Sequence, residues 1–263
     1  MGSLRAALDG DRLIVCLALT NARTPDVPAI AAAAGYDAVY VDLEHASTSW
    51  DTAAMLCAAA VGAGIGSLIR VGSHNPEVIA RALDAGAQGI IAPHVRSKAD
   101  AEQIVAAARF PPRGERSVSG PNAVSGYAPT SVGDRLARID AETVVIAMIE
   151  SADGVEAAGE IAAVHGLDLL LVGPHDLAAE LGAPDDLEHP EVIAAIDVVA
   201  DACRAAGIAF GVAGLRSAER IRRLAADCGL RFATAGTDAA LLTEAACARI
   251  AELRGPATSG GAR

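Results

Sequence analysis

Eight short runs rich in Val, Ile, Leu and Ala, separated by stretches of helical spacing, constrain this chain more than any other feature. The runs are Leu13–Leu19, Ala38–Val41, Ser67–Val71, Gly89–Ala92, Thr143–Ile149, Leu167–Val172, Ile208–Val212 and Phe232–Ala235. They do not alternate cleanly between apolar and polar residues, as expected of strands covered on both faces. Between them, segments such as Pro76–Leu83 and Lys98–Ala108 repeat apolar residues every three or four positions, the period of a helix packed on one side. Gly35, Gly64, Gly86, Gly166 and Gly207 each stand before a run, where a helix-ending glycine belongs. Ser97 and Asp100 read as an N-cap pair. Eight strands with intervening helices imply a (β/α)8 barrel. A doubly wound open sheet is the alternative, but no GxGxxG follows the first run. One barrel domain is expected over residues 1–254, with Gly255–Arg263 as a disordered tail. The longest irregular stretch is Phe110–Asp140, and a loop of that length in a compact domain is more often functional than idle.

Composition removes several function classes. The chain is 52% hydrophobic but only 3% aromatic, so its core is built from small aliphatic side chains. A formal charge of −12 opposes binding to nucleic acid or an anionic membrane. The five cysteines (Cys16, Cys57, Cys203, Cys228, Cys247) lack zinc-type spacing and are expected to be reduced, buried small hydrophobes. The apolar run near the N-terminus is too short for a signal peptide or a membrane span. A cytoplasmic protein is expected.

Chemistry-bearing residues gather at the ends of the runs. Glu150 closes VVIAMIE, and Asp176 follows LDLLLVGPH with one helical stretch between them. Both therefore fall on one rim of a parallel sheet, the rim where α/β sheets carry their sites. Either carboxylate alone could equally cap the helix that follows. Together they suit a divalent cation with positions left open for a chelating oxyacid. Asp42, Glu44 and His45 follow VYV, and Arg70 ends SLIR. The Arg70 fork matches a substrate carboxylate, against the bland reading of a surface salt bridge. His45, beside two acids, is a general-base candidate, although a lone histidine is more often a packing or surface residue. Asp84 sits at a helix C-terminus, where the macrodipole disfavours it, so a partner is expected and a histidine would serve. His74, His94, His165 and His189 form no ligand-like pair and read as structural or surface residues; His175 touches the rim by position. The chain's single lysine, Lys98, opens a polar first turn, which argues against Schiff-base chemistry.

With these residues in hand, the chain resembles the HpcH/HpaI aldolase family of class II pyruvate aldolases, within the phosphoenolpyruvate/pyruvate barrel superfamily. The segments that carry the resemblance are GYDAVYVDLEH, IRV, LDAGAQGIIAPHV, RFPPRGERSV, IESADGVE and VGPHDLAAELG, in the same order from about Gly35 to Gly182. The resemblance implies a magnesium, manganese or cobalt ion held by Glu150 and Asp176, and pyruvate chelating it beside Arg70. It further implies carboxylate binding by backbone amides around Gly173, Pro174 and His175, and His45 as the acid/base group, oriented by Asp84. Asp42 and Glu44 would support this set. The family forms oligomers, often hexamers built from dimers, with the C-terminal helix exchanged between neighbours. Met148, His175 and Ser117 depart from the family's usual residues, and they bear on the aldehyde partner.

The reading that results is a class II aldolase that cleaves a 4-hydroxy-2-oxo acid to pyruvate and an aldehyde, the cation stabilising the pyruvate enolate as a Lewis acid. A citrate-lyase-β-like lyase acting on an acyl-CoA thioester is the first rival, since IESADGV resembles that branch too. A phosphate-binding barrel isomerase is the second, resting on the glycines Gly211, Gly214 and Gly236.

Overall fold

The computed structural model describes residues 4–121, 125–184 and 186–254. Eight parallel strands close on themselves in sequence order, each hydrogen-bonded to the next and β8 to β1. They are β1 (Ile14–Leu19), β2 (Ala38–Asp42), β3 (Gly66–Arg70), β4 (Gly89–Ala92), β5 (Val144–Ile149), β6 (Leu169–Val172), β7 (Ala209–Val212) and β8 (Leu230–Thr237). The helices of the first half are α1 (Leu4–Asp9), α2 (Asp26–Ala34), α3 (Trp50–Gly62), α4 (Pro76–Asp84), α5 (Lys98–Ala108) and α6 (Val132–Glu142). Those of the second are α7 (Ala152–Glu156), α8 (Ala158–Ala162), α9 (Pro174–Glu180), α10 (Pro190–Ala206), α11 (Ala218–Asp227) and α12 (Asp238–Arg254).

The expected barrel is present, and each anticipated strand lies within a few residues of its run. Gly35, Gly64, Gly86, Gly166 and Gly207 all adopt positive φ, the left-handed step that turns a helix end into a strand. Serines start the helices: the hydroxyls of Ser49, Ser97, Ser131, Ser151 and Ser217 each accept the amide three residues on. Ser151 thus caps α7, and Glu150 is not needed for that task. Asp176 is no cap either, because it lies inside the first turn of α9 after Gly173.

Three expectations need correction. The stretch Phe110–Asp140 is not irregular throughout, since α6 begins at Val132 under a Ser131 cap. Its earlier part is tied to α5 and α4, with Glu115 N–H donating to Ala106 O, Arg116 N–H to Arg109 O and the Arg116 side chain to Asp84. Buried Arg109 itself donates to the carbonyls of Asp140, Thr143 and Gly166 and to Asp168. Only Cys16, Cys57 and Cys203 are buried; Cys228 is half-buried and Cys247 exposed, because the latter lies on α12, which buries none of its residues. The helix α1 was not foreseen: Leu4 and Leu8 plug the base of the barrel. Gly66 makes room for that plug, as a Cβ there would come within 3.0 Å of Leu4. The expected tail, Gly255–Arg263, lies outside the described residues.

Period-two alternation explains how the site is placed. Ile14, Cys16 and Ala18 of β1, Ala38 and Tyr40 of β2, Leu68 of β3, and Val144, Ile146 and Met148 of β5 fill the barrel interior. The next inward positions along those last three strands are Asp42, Arg70 and Glu150. The row that packs the core therefore delivers three charged side chains to the C-terminal mouth. The larger apolar layer, with Val39, Val41, Ile69 and Ile149, lies between sheet and helices.

Candidate active site

A cavity of about 290 Å³ opens at that mouth, with Tyr40 and Met148 in its lining and Arg70, Glu150, Gly173 and Asp176 around it. Register sets Asp42 beside Arg70, and the two form a forked pair: Nε to Oδ1 at 3.0 Å and Nη2 to Oδ2 at 2.6 Å. Asp42 also accepts the amides of Glu44 and His45, fixing the loop after β2. Burial works against the Asp42 charge, yet the Arg70 fork and these amides hold its carboxyl below the ordinary range. Arg70 is held correspondingly above its ordinary value: burial opposes its charge, and the Asp42 hydrogen bonds outweigh this. Arg70 also lies 5.7 Å from the centre of the Tyr40 ring. The expected two-point grip of Arg70 on a substrate carboxylate is therefore corrected, because Asp42 already occupies that edge of the fork.

Glu150 is almost fully buried. Burial pushes its carboxyl above the ordinary range, His94 pulls it back, and the charges of Asp176 and Glu44 raise it again. Its Oε2 faces β6, where a Cβ on Gly173 would come within 2.8 Å, so only glycine admits the carboxylate there. Its Oε1 accepts the backbone N–H of His94 at 2.7 Å, and the His94 ring stands against the same oxygen with Nδ1 at 2.8 Å. The other ring nitrogen of His94, Nε2, lies 2.8 Å from Glu44 Oε1. Glu44 Oε2 lies 3.1 Å from Arg70 Nη1 and 3.6 Å from His45 Nε2, without hydrogen-bond geometry to either. Sequence reasoning missed His94, which belongs to the carboxylate cluster and is not a bystander.

The remaining expected residues fall as follows. His45 projects from the loop after β2 and its side chain is 63% exposed. Asp84 is not brought to it: its carboxylate takes Arg116 Nη2 at 2.6 Å and the Ser119 hydroxyl at 3.0 Å. Asp84 at its helix end does have a partner, but that partner is an arginine from the following loop and not a histidine. The amide cradle is also narrower than expected. Gly173 N–H is taken by Ile149 O and Pro174 has none, which leaves the first-turn amides of His175 and Asp176. The His175 ring rests on Gly214, with Nε2 3.2 Å from its carbonyl. Lys98 is an exposed residue of α5 paired with Glu102 at 3.6 Å.

The donor set fits a divalent cation. Glu150, buried, and Asp176, exposed on the first turn of α9, both line the cavity, and two hard oxygen donors facing one space suit such an ion. Glu44, His94 and Glu150 also offer ligand-type atoms within 4.8 Å of one another.

A closed parallel barrel with carboxylates at its C-terminal mouth defines a (β/α)8 barrel with an enzyme-type site able to hold a divalent cation. The chain belongs to the HpcH/HpaI aldolase/citrate lyase family, whose model matches residues 17–245. It is 36% identical over 251 residues to a hydroxypyruvate/pyruvate aldolase of Chromohalobacter salexigens, covering 95% of this chain and 97% of that one. It is 35% identical over 239 residues to the 4-hydroxy-4-methyl-2-oxoglutarate aldolase cghB of Chaetomium globosum, covering 89% of this chain and 88% of that one. Among solved structures, the HpcH/HpaI aldolase of Desulfitobacterium hafniense superposes with a TM-score of 0.90 at 30% identity, covering 99% of this chain and all of that one. The chain is thus an enzyme, a carbon–carbon lyase of the class II aldolase type. Among the described residues no helix is long and apolar enough to cross a membrane.

Proposed function

We propose that the chain cleaves a 4-hydroxy-2-oxo acid reversibly to pyruvate and an aldehyde, with a divalent cation (Mg²⁺, Mn²⁺ or Co²⁺) held by Glu150 and Asp176. The observation that carries this is the convergence of those two carboxylates on one cavity beside Arg70. When bound, the cation supplies Lewis acidity at the keto oxygen of the oxo acid. Arg70, locked by Asp42, holds positive charge where the enolate oxygen develops, and its rigidity means little reorganisation during reaction. The amides of His175 and Asp176 receive the carboxylate. His45, exposed and within reach of solvent, takes the proton of the C4 hydroxyl during cleavage and returns it during addition.

The acceptor side of the cavity is lined by Ala18, Thr234, Gly236 and Arg216. Arg216 is loosely paired with Glu244 at 3.7 Å, an exposed contact that leaves its charge available. That arrangement supports an acceptor bearing a carboxylate of its own, the substrate class in the name of the Chaetomium relative. A homo-oligomer, a hexamer in the family manner, is supported by α12, which buries no residue and exposes Leu242 and Leu253. The five free thiols support a cytoplasmic location.

The test is to incubate the purified chain with pyruvate and a panel of aldehydes, with and without Mg²⁺, Mn²⁺ or Co²⁺, and to read products by mass spectrometry. Exhaustive chelation should abolish turnover, and a divalent cation should restore it. Undiminished turnover after chelation would defeat the reading. Cleavage of an acyl-CoA thioester in its place would move the chain to the citrate-lyase side of its family.

A further inference from the structure

The least ordinary backbone position on the rim belongs to a residue that the chemistry above does not use. His94 follows β4 and Pro93 with φ of 55°, a left-handed conformation that a side chain rarely adopts without a reason. Three contacts hold it there. His74 Nε2 lies 2.5 Å from the Pro93 carbonyl, Val95 N–H donates to Met148 O at 3.1 Å, and the His94 amide donates to Glu150 Oε1 while its ring Nδ1 lies 2.8 Å from the same oxygen. In that left-handed turn the amide and the ring of one residue reach the same oxygen. Glu44 Oε1, 2.8 Å from Nε2, fixes the ring from behind. Amide and ring nitrogen both stand against Glu150 Oε1, whereas Oε2 faces Gly173 and the start of α9, where Asp176 sits.

We propose that His94, seated by Glu44, is the positioning residue of the metal centre: it clamps Glu150 Oε1 and leaves Oε2 as the oxygen presented toward Asp176. This rests on the reading that Glu150 and Asp176 hold the cation. A free carboxylate could present either oxygen or swing away, so the clamp selects one orientation before a cation arrives. Partners of this kind, which hold a ligand without touching the metal, commonly contribute tenfold to a hundredfold in affinity. Direct ligation by His94 is the competing role. It would require the ring to leave Glu44 or Glu150, since each nitrogen already faces a carboxylate oxygen.

The experiment is a Co²⁺ titration of the metal-stripped full chain, followed by calorimetry and by visible absorption. His94→Ala should weaken binding roughly tenfold to a hundredfold. His94→Asn, which tolerates the left-handed turn and keeps a side-chain donor, should weaken it less, and Glu44→Gln should lie near His94→Asn. At saturating Co²⁺ all three should keep the wild-type band positions, because no ligand atom has changed. Wild-type affinity in His94→Asn and in a folded His94→Ala would overturn the clamp. A saturated spectrum that shifts as a nitrogen donor is lost would also overturn it, in favour of ligation. If wild-type chain binds no Co²⁺, or if Glu150→Gln and Asp176→Asn leave affinity unchanged, the underlying metal reading fails, and the clamp fails with it.

Discussion

The two halves of the barrel mouth are built on opposite plans. From β2 to β6 the rim is charged and internally paired: Asp42 on Arg70, Glu44 on His94, His94 on Glu150. From β7 round to β1 the cavity lining is small and neutral, with Ala213, Gly214, Thr234, Gly236 and Ala18, and one loosely held cation, Arg216. Asp238, at the end of β8, is taken up by the loop after β1. The first half holds Asp42, Arg70 and Glu150 by contacts already made before any ligand enters, which is what electrostatic stabilisation of a developing enolate requires. The second half fixes little and leaves space, which suits the variable partner of an aldol reaction. On the proposed function, the enolate chemistry would belong to one arc and the choice of acceptor to the other. Substitutions on the two arcs should fail differently.

The largest loss expected on the charged arc short of losing the metal is at His45. If it moves the C4 hydroxyl proton, His45→Ala should slow cleavage by about two to four orders of magnitude. Arg70 and the two carboxylates proposed to hold the cation remain, so exchange of pyruvate methyl protons with deuterated solvent should fall much less. Measuring both reactions on one preparation separates the roles. Equal losses would mean that His45 holds the arc together, and no loss would remove it from the site. Arg70→Ala should follow. A charge-assisted contact is worth about 2–3 kcal/mol, so turnover should drop at least roughly thirtyfold. Arg70→Lys should recover only part of this, because a point charge cannot keep the two bonds to Asp42. Wild-type kinetics in either variant would break the assignment of chemistry to this arc.

The charged arc was unevenly legible in the sequence, and the reason is geometric. Buried parallel strands read as continuous apolar runs, so the barrel and the rim positions of Asp42, Arg70, Glu150 and Asp176 could be inferred from run ends alone. Pairings across the rim could not. His94 meets Glu44 and Glu150, 50 and 56 residues away, through loops whose paths local spacing does not encode. The available signal was its place just past a strand, after Pro93, in the same rim position as the acids. For Asp84 the sequence indicated that a partner was needed, but Arg116 lies 32 residues on, in a loop without periodicity. The Asp42–Arg70 pair was within reach, because both end adjacent runs and parallel register sets them side by side. What hid it was the assumption that an arginine at a barrel mouth must await a substrate.

On the neutral arc the expected effect is smaller and selective. Arg216→Ala should raise KM roughly twofold to fivefold for an acceptor carrying a carboxylate, the scale of one exposed charge contact. It should leave kcat and the KM for a neutral aldehyde near wild type. A parallel loss for both acceptors would place Arg216 with the chemistry and erase the division between the arcs. Comparing the two acceptors at low and high salt sharpens the test, since an exposed contact is screened.

The smallest effect should come from the residue nearest the charged arc that takes no part in it. Lys98 opens α5 just beyond His94, and it is the chain's only lysine. A Schiff-base mechanism would need a desolvated amine at the mouth, whereas the Lys98 side chain is 54% exposed and lies 3.6 Å from Glu102, one helical turn on. Such an exposed i, i+4 pair contributes about 0.3–0.5 kcal/mol. Lys98→Ala should therefore lower stability by no more than about that amount, a shift of a degree or two in Tm for a chain of this size. Turnover should be unchanged. Borohydride added during turnover should trap no pyruvate on the wild-type protein, and intact-mass spectrometry reads this directly. A reduced pyruvyl adduct on Lys98, or loss of activity in Lys98→Ala, would show that the chemistry runs through an imine. The paired carboxylates of the charged arc would then need another explanation.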